Sequence, residues 1–263
     1  EVCRPLESIL REVRHAVDVG YKEIELLGQN VNCWKHGEDR FDTLLAVVSD
    51  IPGVRRVRFT TSHPRHFPLA AADLMSERDN ICPYLHLPVL AGSSRILKLM
   101  RRQYDKQWYL DLVGQIRERV PHIAFSTDII VGFPTESEED FEETLDVVRR
   151  VEYDTMFSFR YSKRPDTPAA GMGEQVPDDV ARARHQRLLD LQAGIQARRF
   201  EACVGKTMEI LVEGRSKKGT EWTGRAPDNK VVNFTSPVEP AINSLVDVKI
   251  TASHVNSLFG EPA

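Results

Sequence analysis

A short apolar run that breaks into glycine and small polar residues, with a helix after it, recurs along this chain and constrains its fold more than any other feature. Tyr84-Leu85-His86-Leu87-Pro88-Val89-Leu90-Ala91-Gly92-Ser93-Ser94 has this form, and Ser126-Thr127-Asp128-Ile129-Ile130-Val131-Gly132-Phe133-Pro134-Thr135-Glu136 repeats it. Each reads as a buried strand that delivers polar groups to a rim. Strand, glycine-containing loop and helix in that order make repeated β/α units, and in such barrels ligands bind at the C-terminal ends of the strands. A small-molecule site at those ends is the first functional expectation.

The rest of the chain extends the pattern. Leu6, Ile9, Leu10, Val13 and Val17 fall at helical spacing and predict a helix from Pro5 to Val19, which Gly20 stops. A strand over 23–27 ends in Gly28-Gln29-Asn30-Val31-Asn32, and after a helix over 42–49 a strand over 55–61 ends in Ser62-His63-Pro64. A helix over 69–76 precedes the strand 84–89, helices over 94–101 and 106–120 precede the strand 124–131, and a last strand is expected over 156–161. Thr135 and Glu138 have the spacing of a capping box for a helix that turns Phe141, Leu145 and Val148 inward. This makes five parallel-type strands, an incomplete β/α barrel.

Beyond Pro165-Asp166-Thr167-Pro168 the pattern changes. A charged helix over 177–200 carries the stripe Leu188, Leu191 and Ile195, after which only strand and turn signals remain, over 207–213, 222–225, 230–234, 245–251 and 254–259. Five short strands in about 60 residues suit a small all-β barrel of OB-like type. The expected domains are therefore 1–198 and 199–263, and the fold class is α/β with an incomplete TIM-like barrel followed by the small barrel.

Composition sets limits on function. The 263 residues are 41% hydrophobic and 28% charged, with no apolar window of membrane-spanning length and no signal-peptide core at the start, so a cytoplasmic protein without a membrane partner is the default expectation. A net charge of −4 rules out a general nucleic-acid sponge. Local basic clusters remain: Arg55, Arg56, Arg58 and Arg65; Arg95 to Lys106; Arg182 to Arg199; each reads most simply as a solvated face. In the small barrel, Lys206, Lys217, Lys218, Arg225 and Lys230 alternate with Trp222 and Phe234, a mixture that suits base stacking and phosphate tracking, although both rings could equally be core. The four cysteines, Cys3, Cys33, Cys82 and Cys203, have neither disulfide nor metal spacing.

Leu26 to Asn32, Thr60-Thr61-Ser62-His63-Pro64, Leu85 to Val89, Ser126 to Glu136, and Arg160-Tyr161-Ser162 with Asp166 to Ala170 resemble the radical S-adenosylmethionine methylthiotransferases, and Gln29-Asn30-Val31-Asn32 points to the tRNA-modifying, MiaB-type branch. Val204-Gly205-Lys206, Leu211 to Gly214, Thr223-Gly224-Arg225 and Val232-Asn233-Phe234 are similar to the TRAM domain, an RNA-binding β-barrel. The resemblance implies addition of a methylthio group to C2 of an N6-isopentenyl-type adenosine beside a tRNA anticodon. It implies S-adenosylmethionine and two [4Fe-4S] clusters as cofactors, and the anticodon stem-loop as partner of a monomeric enzyme. It assigns Gly28, Gln29 and Asn30 to the methionine moiety of the cofactor and Asp128, Gly132 and Phe133 to its adenosine. It leaves Ser62, His63 and Arg160 to cofactor or substrate, and Lys206, Trp222, Arg225, Lys230 and Phe234 to RNA.

Two departures qualify this. The CxxxCxxC loop that binds the radical cluster should stand just before Arg4-Pro5, and neither it nor the first barrel strand nor the second-cluster domain is present. The chain opens almost inside a helix, without Met, and reads as a piece of something longer that should not perform radical chemistry by itself. Leu90-Ala91 also replaces the polar Gln-Ser of the family pattern. Alternatives are a non-catalytic RNA-binding remnant and, with less support, a conventional β/α-barrel lyase, for which no strand-end lysine or metal triad is found. Gly132-Phe133-Pro134 could be only a tight turn, and His86 is more commonly a satisfied core histidine than a ligand.

Overall fold

Alternation of helix and strand persists to residue 201 and then stops. In the computed structural model, which describes all residues except 1, 2, 61, 62 and 218, the order is α1 (Leu6–Asp18), β1 (Glu23–Leu26), β2 (Lys35–His36), β3 (Asp39–Arg40), α2 (Phe41–Ser49), β4 (Arg56–Phe59) and α3 (Leu69–Glu77). There follow β5 (Tyr84–His86), α4 (Ser94–Leu99), α5 (Lys106–Arg119), β6 (Ala124–Val131), α6 (Glu138–Val151), β7 (Thr155–Arg160) and α7 (Asp178–Glu201). The last segment holds β8 (Thr207–Arg215), β9 (Trp222–Arg225), β10 (Val231–Phe234), β11 (Leu245–Ser253) and β12 (Leu258–Pro262). No helix among the described residues is long and apolar enough to cross a membrane.

Two compact units result. The first comprises Glu1–Leu85, Arg117–Ala124 and Ala197–Ala263; the second comprises His86–Ile116 and Phe125–Gln196. In the first unit β1 and β4 pair in parallel with Leu26 opposite Phe59, and β4 continues through a parallel bridge between Val57 and Ile81. All four residues of β4 are buried. The strands of the last segment close into a five-stranded barrel, β10-β12-β11-β8-β9, around Ile210, Val212, Trp222, Val232, Phe234, Val248, Ile250 and Leu258. Parallel pairing of β10 with β12 gives it the OB-like form expected.

Arg56 and Arg58 depart from the solvated-face reading of the basic clusters. Both are almost fully buried, at 2% and 6% exposure. Arg56 Nη1 donates to the carbonyl of Arg225 at 2.8 Å, and Arg58 donates to the carbonyls of Ala226 and Pro227 at 2.7 and 2.9 Å and to Glu23 Oε2 at 2.8 Å. A guanidinium is weakly hydrated and presents five donors, so it can enter a closed interface where a lysine would lose its water without replacement.

In the second unit β5, β6 and β7 form a three-stranded sheet in which β6 and β7 pair in parallel with Asp128 opposite Phe157. The face of β6 carrying Phe125, Thr127, Ile129 and Val131 is fully buried, whereas Asp128 and Ile130 on the other face are half-buried. Tyr109 of α5 reaches the covered side, donating to the Leu87 carbonyl at 2.8 Å. The predicted strand 84–89 is shorter, because Pro88 cannot donate and Leu90 adopts φ 70.

The expected Thr135–Glu138 capping box is displaced by two residues. Thr135 has φ 70, in the left-handed region, and Ser137 is the N-cap: its Oγ accepts from Asp140 N at 3.2 Å while Asp140 Oδ2 accepts from Ser137 N at 2.9 Å. Asp140 also accepts from Ser93 Oγ and Arg95, so one carboxylate joins the start of α6 to the loop after β5. That loop must approach closely, since a Cβ on Gly92 would lie 2.3 Å from the Glu143 carbonyl oxygen. Burial pushes the Asp140 carboxyl up, yet hydrogen bonds from Arg95, Ser93 and Ser137 outweigh it and hold the group well below the usual carboxylate range. Such a depressed pKa stabilises fully above the unfolded value near ~3.9 and fades as pH falls through the folded value. Asp140→Asn is expected to lower the unfolding free energy by about 1–3 kcal/mol at neutral pH, and urea titrations at descending pH should show the gap to wild type closing only below about pH 4.

Candidate functional site

Polar side chains tie down the strand-end loops in both units. In the first, β1 runs out into Gly28-Gln29-Asn30 and a 3-10 turn over Val31–Cys33. Asn30 Nδ2 lies 2.9 Å from His66 Nδ1 and 3.0 Å from Cys33 Sγ, while its Oδ1 accepts from His63 N at 3.3 Å. Buried Asn32 holds the same backbone from both sides, accepting from His63 N and donating to His63 O, each at 3.1 Å. The rings of His63 and His66 stand 4.9 Å apart. The loops after β1 and β4 are thus one hydrogen-bonded structure, brought together by parallel pairing that places both strand ends on one edge. Beside it lies a cavity of about 680 Å³ whose lining includes Ile9, Val13, Ile24, Leu26, Gly28, Gln29 and Asn30. That volume lies within the roughly 300–1,000 Å³ of small-molecule sites, and the lining mixes these apolar side chains with charged ones, Glu12, Glu23 and Glu25 among them.

In the second unit Gly132 has φ 74, and a Cβ there would lie 2.8 Å from Ala181 Cβ. Its N–H donates to Glu136 Oε2 at 2.9 Å, and the same carboxylate oxygen accepts from Arg184 Nη1 at 3.1 Å. Both Glu136 and Arg184 are buried. Burial raises the Glu136 pKa, with the Gly132 N–H and Arg184 opposing the rise. Phe133 is buried edge-on against Tyr161, with centroids 5.4 Å apart. Asp128 Oδ2 lies 3.5 Å from His86 Nε2, and His86 Nδ1 contacts Ser126 Oγ at 2.8 Å. His86 is therefore a partnered, partly buried histidine.

Other sequence candidates fall elsewhere. Ser62 lies outside the described residues. Arg160 pairs with Asp178 at the start of α7. Lys206 is exposed, Arg225 is paired with Glu213 at 3.0 Å, and Lys230 is buried against Asp228 at 2.6 Å. Trp222 and Phe234 are core rings, 5% and 1% exposed, because alternation along β9 and β10 turns them inward; the stacking-surface expectation is corrected for these two. Sequence reasoning passed over Glu136 and Arg184. A signal existed: Ala181, Arg184, Leu188, Gln192 and Ile195 are the buried stripe of α7, so an arginine and a glutamine stand where apolar residues belong.

Comparison with known proteins settles the family. The profile of the Radical SAM superfamily matches residues 3–148, and that of the TRAM domain matches residues 201–263. The chain belongs to the Radical SAM superfamily. Among curated relatives, a tRNA-2-methylthio-N(6)-dimethylallyladenosine synthase of Carboxydothermus hydrogenoformans is 48% identical over 99% of this chain and 60% of its own length. A synthase of the same name from Solibacter usitatus is 42% identical over 100% of this chain and 60% of its own. The chain thus spans about three-fifths of these relatives. Among solved structures, the radical SAM enzyme coproporphyrinogen III oxidase of Escherichia coli superposes with a TM-score of 0.53 at 13% identity, over 97% of this chain and 63% of that one, which shows a shared fold.

The radical SAM superfamily implies S-adenosylmethionine and a [4Fe-4S] cluster, and the cluster requires three thiolates. The described residues do not fit it: no three His, Cys, Asp or Glu side chains among them converge as metal ligands. Cys82 is buried, and burial pushes its thiol up to about 11; Cys203 lies in the barrel core. The Glu136–Arg184 pair yields a direct test of loop support. Arg184→Met leaves a buried carboxylate without its cation and should cost about 3–5 kcal/mol by urea unfolding, with Glu136→Gln in the same chain recovering part of the loss.

Proposed function

We propose that this chain is the cofactor- and RNA-binding portion of a tRNA methylthiotransferase, which adds a methylthio group to C2 of an N6-isopentenyl-type adenosine next to the anticodon. The observation that carries the reading is the 48% identity, over 99% of the chain, to a tRNA-2-methylthio-N(6)-dimethylallyladenosine synthase. The relevant body divides at residues 1–198 and 199–263, a partial barrel and an RNA-binding module.

Gly28, Gln29 and Asn30 hold the methionine moiety of S-adenosylmethionine, and Asp128, Gly132 and Phe133 its adenosine. In support, Gly28-Gln29-Asn30 borders the cavity in the first unit, and the Gly132 amide is fixed by Glu136. A fixed loop costs less ordering entropy when a ligand binds. When bound, S-adenosylmethionine supplies a radical precursor, and the residues here bind it, orient it and limit its exposure to water. Ser62, His63 and Arg160 serve cofactor or substrate at other strand ends. Lys206 and Arg225 attract the phosphates of the anticodon stem-loop, with Trp222, Phe234 and the buried Lys230 supporting them from within the barrel. The working enzyme is a cytoplasmic monomer carrying two [4Fe-4S] clusters, and residues 1–263 alone do not cleave S-adenosylmethionine, since the four cysteines include no CxxxCxxC.

A second reading, a non-catalytic RNA-binding remnant, draws on that same lack of ligand cysteines. The two readings diverge in S-adenosylmethionine binding: calorimetry should detect it if the chain is part of an enzyme, and none if it is a remnant. Both require RNA binding. Filter binding should show tRNA affinity falling with salt, and Lys206→Glu with Arg225→Glu should weaken binding and reduce the log–log salt slope by about 0.9 for each phosphate no longer neutralised. Salt-insensitive binding, or none, contradicts the RNA assignment.

A further inference from the structure

β7 exposes its largest side chains. Phe157 and Phe159 are 50% and 56% exposed, while Ser158 between them turns to α7 and contacts His185 Nε2 at 2.8 Å. An i, i+2 pair on a strand shares one face. Other exposed apolar residues, such as Val238 and Val255, sit in loops, whereas these two rings stand side by side on a regular strand. Phenylalanine buries a large area when it can, so two rings left open on one sheet face mark a surface made for contact.

Their neighbours define the contact. The parallel register sets Phe157 beside Asp128 and Phe159 beside Ile130. The His86 ring stands edge-on to Phe157, with centroids 6.2 Å apart, and its Nε2 lies 3.5 Å from the Asp128 carboxylate. Beyond the strand, Lys163 and Arg164 are exposed. Two rings two residues apart are separated by about 6.6–7 Å along a strand, twice the ~3.4 Å spacing of stacked bases, which accommodates one planar base. Two cations along the chain suit the phosphates that flank a base stacked there.

We propose that Phe157 and Phe159 form the platform on which one unstacked base of a single-stranded RNA loop rests, with Lys163 and Arg164 at its backbone. This rests on the tRNA reading above and adds to it the residues that receive the base. A base that undergoes chemistry has to leave its stack, and aromatic faces compensate for the stacking it gives up.

The test uses the full chain and an RNA stem-loop carrying one 2-aminopurine in the loop, whose fluorescence is quenched when it stacks on a ring. Anisotropy reports RNA binding in the same sample. Wild type should bind and quench; Phe157→Ala with Phe159→Ala should lose the quench and bind roughly 5- to 150-fold more weakly. Phe157→Tyr with Phe159→Tyr should retain both, and unchanged circular dichroism should accompany all variants, since the rings are solvent-exposed. Undiminished quenching and affinity in the alanine variant overturn the platform while leaving the tRNA reading intact. Loss of the quench on adding S-adenosylmethionine, with RNA still bound, assigns the rings to the cofactor and also overturns it. Failure of wild type to bind the RNA at all overturns both.

Discussion

A parallel strand ends without a partner for its last backbone groups, and in this chain side chains must fix each loop that follows. Everything proposed for the site depends on this constraint. Asn30 and Asn32 join the loops after β1 and β4 through His63. Asp140 holds the loop after β5 to the start of α6, and Glu136 with Arg184 holds Gly132. Each tie is a buried or half-buried polar group with several partners. Such groups are stabilising only while every partner is in place, so these loops are either held in one conformation or released.

The same logic accounts for the small barrel. It closes on itself around an apolar core, which leaves no strand edge to pair with its surroundings. Its carbonyls at Arg225, Ala226 and Pro227 are instead taken up by Arg56 and Arg58 of β4. The TRAM barrel is thereby anchored to a fully buried parallel strand by directional hydrogen bonds.

Much of the fold was legible because the periodicities are clear. The strand 124–131 and the first four strands of the barrel follow from apolar runs and turn residues, whereas the last, expected over 254–259, begins only at Leu258 and runs to Pro262 because 254–257 form a turn; α1, α5 and α7 follow from helical spacing. What remained hidden depends on contacts distant in sequence. An arginine on a strand reads as solvated until the carbonyls about 170 positions away are known to surround it, as they do Arg58. The capping box was misplaced because Thr135-x-x-Glu138 and Ser137-x-x-Asp140 overlap, and the left-handed backbone at Thr135 decides between them. Of the candidate site, the loop residues Gly28, Gln29, Asn30 and Gly132 were picked out by the family resemblance of their motifs. Their supports, Asn32, His66, Glu136 and Arg184, were not, since a supporting residue shows only when its partner is placed. Inward rotation of Trp222 and Phe234 was likewise open until strand register fixed which face each occupied.

The central claim is that one chain presents RNA with a pre-formed strand-end surface and an attached barrel. Hydrogen–deuterium exchange of the 263-residue chain with and without tRNA tests it most directly. The account predicts slowed exchange in the barrel around 206–213 and 225–234 and also around 157–164, in β7 and the segment that follows it. Protection confined to the barrel, or absent from both regions, would contradict it.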